Sequence, residues 1–129
     1  MGSKDDDPSH AIWLGCDWSL GAEQTASVMG GRGEWGWLIV DHYALDARWE
    51  TVLRQVANKI LVIDDIADRQ HDCDVLLDQN FYADMDTRYT GKLPAHCRTL
   101  LGPHYALLRE EFRQLHNQIK PRSWPVKRI

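Results

Sequence analysis

Two short apolar runs joined by one amphipathic stretch constrain this chain more than any other feature. Trp35–Asp41 (Trp-Gly-Trp-Leu-Ile-Val-Asp) and Lys59–Asp64 (Lys-Ile-Leu-Val-Ile-Asp) each read as a strand. Their apolar residues run on without alternation, which predicts burial on both faces, as in a parallel sheet. Between them, Asp46 is placed to cap a helix reaching about Ala57. Trp49, Val52, Leu53 and Val56 follow the i, i+3, i+4, i+7 spacing of one buried face. Strand, helix and strand so close together make a βαβ unit, whose crossover is right-handed.

The flanking segments extend this pattern. A helix is expected from about Ala22 to Met29, stopped by Gly30, Gly31 and Gly33. A third strand fits Asp74–Asp78 and a fourth Arg98–Leu101, broken by Gly102-Pro103. A last helix from about Ala106 to Gln118 carries Leu108, Phe112, Leu115 and Ile119 on one face and ends at Pro121. The expected fold is α/β: a partial Rossmann-like domain with a short, mostly parallel sheet flanked by helices. Residues 1–10 read as a disordered or tag-like start, 11–119 as the domain, and 120–129 as a linker and the start of a further strand. So few strands make half of a doubly wound sheet, so the chain reads as an excerpt.

Composition narrows the function classes. With 129 residues, 43% hydrophobic and 26% charged, the chain suits one globular domain. Its longest apolar run, Trp37–Val40, is far below a membrane span, and the first residues carry charge rather than the apolar core of a signal peptide. A net charge of −4 argues against a nucleic-acid binder. Lys120, Arg122, Lys127 and Arg128 are interrupted by Pro121 and Pro125 and read as a solvated linker. Cys16, Cys73 and Cys97 form no Cys-x-x-Cys pair and read as reduced thiols of a cytoplasmic protein.

Ligands of open α/β sheets bind outside the carboxyl ends of the strands. Here those ends read Asp41-His42-Tyr43, Asp64-Asp65 and Asp78-Gln79-Asn80. Three polar ends in register predict one crevice. The same residue types also cap helices and turns, and that reading stays open for each of them. His42 beside Asp41 has the chemistry of a general acid or base, but spacing alone favours a loop histidine that bonds a backbone carbonyl. His71-Asp72-Cys73-Asp74 holds metal-ligand residue types at a spacing that matches no closed zinc site. Neighbours along a strand point to opposite faces, so they cannot all reach one ion. No metal and no cofactor is expected. Gly30-Gly31-Arg32-Gly33 precedes a strand, whereas a dinucleotide loop follows one.

Four blocks carry a family resemblance. They are Leu38–Trp49 (Leu-Ile-Val-Asp-His-Tyr-Ala-Leu-Asp-Ala-Arg-Trp), Val62–Arg69 (Val-Ile-Asp-Asp-Ile-Ala-Asp-Arg), His71–Asn80 (His-Asp-Cys-Asp-Val-Leu-Leu-Asp-Gln-Asn) and Leu101–Phe112 (Leu-Gly-Pro-His-Tyr-Ala-Leu-Leu-Arg-Glu-Glu-Phe). In this order they resemble the UDP-2,4-diacetamido-2,4,6-trideoxy-β-L-altropyranose hydrolases of pseudaminic acid biosynthesis. The resemblance spans about residues 20–115, the later part of that family's N-terminal domain.

It implies a glycosyltransferase-like GT-B architecture of two Rossmann-like domains. It also implies metal-independent, inverting removal of UDP with water as acceptor. The family's proposed base is a histidine in a Gly-x-Gly-His loop. No such loop occurs in this sequence, and His42 belongs to a different motif. The expected catalytic set is therefore empty, and the chain is expected to be inactive alone. The resemblance points to Tyr43 first, then His42, Asp41 and Asn80, as substrate-side contacts.

Two other readings compete. One is a stand-alone module that oligomerises or binds a partner. The other is a metal-dependent hydrolase using Asp41, Asp64, Asp65 and His71. A half-sheet also predicts a homo-oligomer formed through an exposed sheet edge or apolar surface, unless residues 11–29 fold back over the gap.

Overall fold

A computed structural model describes residues 7–31 and 33–120. The expected tag-like start therefore lies partly, and the expected terminal linker almost wholly, outside the described residues. The chain opens with a 3₁₀ turn, Ala11–Leu14, and then runs α1 (Trp18–Met29), β1 (Trp35–Val40), α2 (Ala47–Leu53) and β2 (Ala57–Ile63). It continues with β3 (Val75–Asp78), β4 (Arg98–Leu101), a 3₁₀ turn at Pro103–Tyr105, and α3 (Glu110–His116). The four strands form one sheet in sequence order, and every pairing is parallel. This is the α/β fold that the βαβ pattern predicts.

Local chemistry sets the boundaries. Asp17 caps α1 by accepting from the Ser19 backbone N–H at 2.9 Å, so the helix starts four residues before the expected Ala22. Gly30 ends it at φ 89°, a conformation costly for a side chain, with its N–H donating to Ala26 O. Asp46 caps α2 as expected, accepting from Arg48 N at 2.9 Å. The helix is shorter than expected. It stops at Leu53, a tight turn follows (Gln55 N to Val52 O, Val56 N to Leu53 O), and Ala57 already belongs to β2.

The core lies between the sheet and the two helices packed on one side of it. Leu53, Ile60, Val62 and Leu76 are fully buried, and Trp49 joins them from α2, as its helical spacing predicts. Burying each such side chain contributes about 1.5–3 kcal/mol. The second sheet face differs from expectation. Leu38 and Val40 point to the core, while Trp35, Trp37 and Ile39 are 49%, 53% and 64% exposed. Continuous apolar character in β1 thus reflects one buried face and one bare face. The Trp35 indole still serves the fold by donating to Met29 O at the end of α1. The face of α3 that carries Phe112 and Leu115, with Leu108 and Ile119 flanking it, is likewise exposed, and the helix starts four residues after the expected Ala106. No described helix is long and apolar enough to cross a membrane.

Candidate functional site

Parallel strands bring every carboxyl end to one edge of the sheet, and the polar strand ends meet there. β-pleat parity then sorts the carboxylates. Asp64 follows Val62 by two residues and Asp78 follows Leu76 by two. Both point to the core and are buried. Asp41 follows Ile39 and Asp65 follows Ile63, so both take the outer side.

Each inner carboxylate has a cation. Asp64 Oδ1 lies 2.9 Å from Arg69 Nη1, a close charge contact whose angle falls outside hydrogen-bond geometry. Asp78 accepts from Arg88 Nε at 3.3 Å and from the Asn80 backbone N–H at 3.1 Å. The Tyr89 hydroxyl sits 3.0 Å from both Asp64 Oδ2 and Asp78 Oδ2. It has one proton and donates to one of them at a time. Burial between two carboxylates pushes the Tyr89 phenol well above its ordinary pKa.

The outer carboxylates are held differently. Tyr43 OH donates to Asp65 Oδ1 at 2.8 Å, and Asn80 Nδ2 donates to Asp65 Oδ2 at 2.8 Å. Tyr82 OH and Arg88 Nη2 donate to the Asp65 carbonyl at 2.9 and 2.6 Å, which fixes the loop. The Arg88 guanidinium also lies 3.5 Å over the Tyr82 ring. No cation contacts the Asp65 carboxylate among the described residues. Its hydrogen bond to Tyr43 is the main reason that the Tyr43 phenol is raised above its ordinary value. Asp41, Tyr43, Ile63, Asp64, Asp65 and Gln79 line a cavity of about 240 Å³.

The residues singled out from sequence thus fare unequally. Asp41 and Tyr43 line the cavity, and Asn80 reaches Asp65 from the third strand end. His42 turns back on its own loop, its ring Nδ1 accepting the Ala44 N–H at 3.1 Å while its carbonyl accepts from Arg69. That is the loop-histidine reading, with a backbone N–H in place of the expected carbonyl. Asp65 was read as part of a polar strand end but not as a substrate contact, and Tyr82, Arg88 and Tyr89 were not picked out at all. The residues between β3 and β4 carry no periodicity, so sequence spacing could not place them.

The metal reading finds no cluster. His71 lies beneath α2, its Nδ1 2.7 Å from Glu50 Oε1 with both side chains buried. Asp72 and Asp74 are engaged by Arg54. Among the described residues no three His, Cys, Asp or Glu side chains converge on a point that could hold an ion.

Comparison with known proteins bears on this arrangement. No family model matches the chain. Over 78 residues, 60% of the chain, it is 41% identical to the UDP-2,4-diacetamido-2,4,6-trideoxy-β-L-altropyranose hydrolase of Campylobacter jejuni. The resemblance to that hydrolase holds. The chain spans 28% of that relative's length. The similarity is therefore to part of a hydrolase of this kind, and it accompanies an α/β parallel sheet whose polar strand ends gather at one edge.

Proposed function

We propose that this chain forms the sugar-facing part of a UDP-sugar hydrolase that cleaves UDP from a 2,4-diacetamido-2,4,6-trideoxy sugar with water as acceptor. The observation that carries the reading is the convergence of Tyr43 and Asn80, from two strand ends, on the single carboxylate of Asp65. Such a fixed polar group beside a small cavity orients a hydroxylated ligand. The similarity to the Campylobacter jejuni hydrolase supplies the substrate class. Tyr43, Asp41 and Asn80 act as substrate contacts, with His42 holding the loop that carries Tyr43. The parent enzyme has the two-domain GT-B architecture. The separate thiols of Cys73 and Cys97, 3.5 Å apart, suit a reducing cytoplasm.

The chain by itself is not a hydrolase in this reading. Hydrolysis needs a base, a positioned water and stabilisation of the leaving diphosphate. The sequence contains no Gly-x-Gly-His, and no cation among the described residues lines the cavity. UDP release from the family's substrate, measured with purified chain with and without a chelator, is expected to stay at background in both. Turnover of about 1 s⁻¹ or more, within the ordinary enzyme range, would overturn this.

A second reading, a stand-alone oligomerising module, is favoured by one observation: Trp35, Trp37 and Ile39 stand exposed on one face of β1. Large apolar patches seek partners. Light scattering at micromolar concentration is expected to show a homodimer or larger assembly. A monodisperse, cooperatively folding monomer would remove this reading and leave the first untouched.

A further inference from the structure

Residues 7–14 lie beside Tyr43 and carry nothing that the proposed hydrolase reading uses. The segment is tied to α2 at its start and closed into a turn at its end. Asp7 pairs with Arg48 Nη2 at 3.0 Å, and Arg48 is itself held by Asp46 at the cap of α2. Ala11 N and Trp13 N donate to Pro8 O and His10 O, each at 2.9 Å, closing the 3₁₀ turn. The turn brings the His10 ring against two others, and the three make a triangle. The His10 centroid is 4.4 Å from that of Trp13 and 5.6 Å from that of Tyr43. Trp13 and Tyr43 meet at 62° with centroids 6.0 Å apart, so the rings form a corner rather than a stack. Trp13 remains 60% exposed. Tyr43 joins this corner to the cavity lined by Asp41, Asp65 and Gln79.

We propose that the His10–Trp13–Tyr43 corner and the adjoining Asp41–Asp65 cavity make one subsite for a neutral, hydroxylated ring bearing amide groups, with Trp13 setting its specificity. The proposal rests on the sugar-facing reading and adds to it a residue from outside the strand ends. Three features select this ligand class. The Trp13 side chain, 60% exposed, offers apolar indole surface for the C–H face of a pyranose and a polar N–H at its edge. The carboxylates of Asp41 and Asp65 and the Gln79 side chain offer acceptors for hydroxyl and amide N–H groups. With no cation among the described residues that line the cavity, its carboxylates repel phosphate, so the diphosphate of a nucleotide sugar lies away from this end. At about 240 Å³ the cavity falls below the roughly 300–1,000 Å³ typical of sites for larger ligands, which favours a single ring.

The test uses the full chain, amide and indole NMR spectra, and two probes, N-acetylglucosamine and UDP. N-acetylglucosamine is expected to shift the backbone amides of Tyr43, Asp65 and Asn80 and the Trp13 indole N–H together, in one saturable curve. Trp13→Ala should weaken that binding roughly three- to tenfold, and Trp13→Phe should recover much of the loss, in line with aromatic contact energies. Because Trp13 is exposed, both variants should keep the wild-type amide spectrum elsewhere.

Shifts at Tyr43, Asp65 and Asn80 with a silent indole, and unchanged affinity in Trp13→Ala, would overturn the role of Trp13 and leave the sugar-facing reading standing. No shift at Tyr43, Asp65 or Asn80 would overturn that reading itself. UDP shifting the same signals as strongly would overturn the neutral-ring assignment.

Discussion

The two ends of the sheet both carry aspartates, yet they treat them in opposite ways. At the amino end, Asp74 accepts from Lys59 Nζ, Arg54 Nη1 and the Ile60 backbone N–H at 2.9, 3.0 and 2.9 Å. Asp72 receives Arg54 Nε at 2.8 Å and Thr51 Oγ1 at 2.8 Å. Little capacity is left there for a ligand. At the carboxyl end, Asp64 and Asp78 have cations but are buried, whereas among the described residues the Asp65 carboxylate is held by a hydroxyl and an amide. Saturated charge builds structure. A carboxylate oriented by neutral donors keeps its charge available, which is what a site needs.

That contrast breaks first if the inner carboxyl-end pair proves dispensable. Arg69 is 7% exposed, lies against the Asp64 carboxylate, and donates Nε to Leu45 O at 2.7 Å. Arg69→Met leaves a buried carboxylate without its countercharge and should cost about 3–5 kcal/mol in urea unfolding. A loss below 1 kcal/mol, the range of a surface pair, would mean that the inner layer is as tolerant as the surface.

At the amino end the expected effect is smaller. Arg54→Met removes one guanidinium from two aspartates and should cost about 1.5–3 kcal/mol, the usual range for hydrogen bonds to charged groups. The acid limb sharpens the comparison. Burial would raise the Asp74 pKa, but Lys59, the Ile60 N–H and Arg54 outweigh it and hold the carboxyl at about 2. A depressed carboxyl pKa contributes stability that is full above its unfolded value near 4 and is lost as pH falls towards 2. Asp74→Asn should therefore lower stability at neutral pH and flatten the fall between about pH 4 and 2. An unchanged acid limb would show that Asp74 is not the group responsible.

Much of the fold could be read from sequence, and the misses have physical causes. The βαβ unit was legible because two apolar runs and a capped amphipathic stretch reinforce one another. β4 falls on Arg98–Leu101 as expected. Burial of β1 on both faces was not, because composition cannot say which neighbour covers a strand. Trp35 and Trp37 look like core residues and face outward. The start of α1 was missed although Asp17 is a favoured helix-capping residue type. At the strand ends, the crevice followed from parallel topology, but all the carboxylates were weighed alike. The pleat distinguishes them: Asp64 and Asp78 continue the buried parity of Val62 and Leu76, while Asp41 and Asp65 do not. The contacts made by Tyr82, Arg88 and Tyr89 were beyond reach, since an aperiodic connection leaves no register from which to project them.

The smallest expected effect on stability falls on Asp65, and it discriminates best between structure and site. Asp65→Asn keeps the shape and an acceptor oxygen for the Tyr43 hydroxyl, removes the charge, and turns an NH2 towards Asn80, whose amide can flip to accept from it. The loop is still held through the Asp65 carbonyl by Tyr82 and Arg88. Unfolding should therefore change by about 1 kcal/mol or less, the net worth of one half-buried hydrogen bond. The phenol of Tyr43 should respond much more. The carboxylate stabilises its protonated form by accepting its hydrogen bond and by opposing a phenolate charge. With a neutral amide there, the Tyr43 titration should fall back towards the ordinary tyrosine value near 10, observed by ultraviolet difference spectra against Tyr43→Phe. If Asp65→Asn instead destabilised the fold as much as Arg69→Met, Asp65 would be a structural ion like those at the amino end. The distinction between the two ends would then fail at the residue on which it rests.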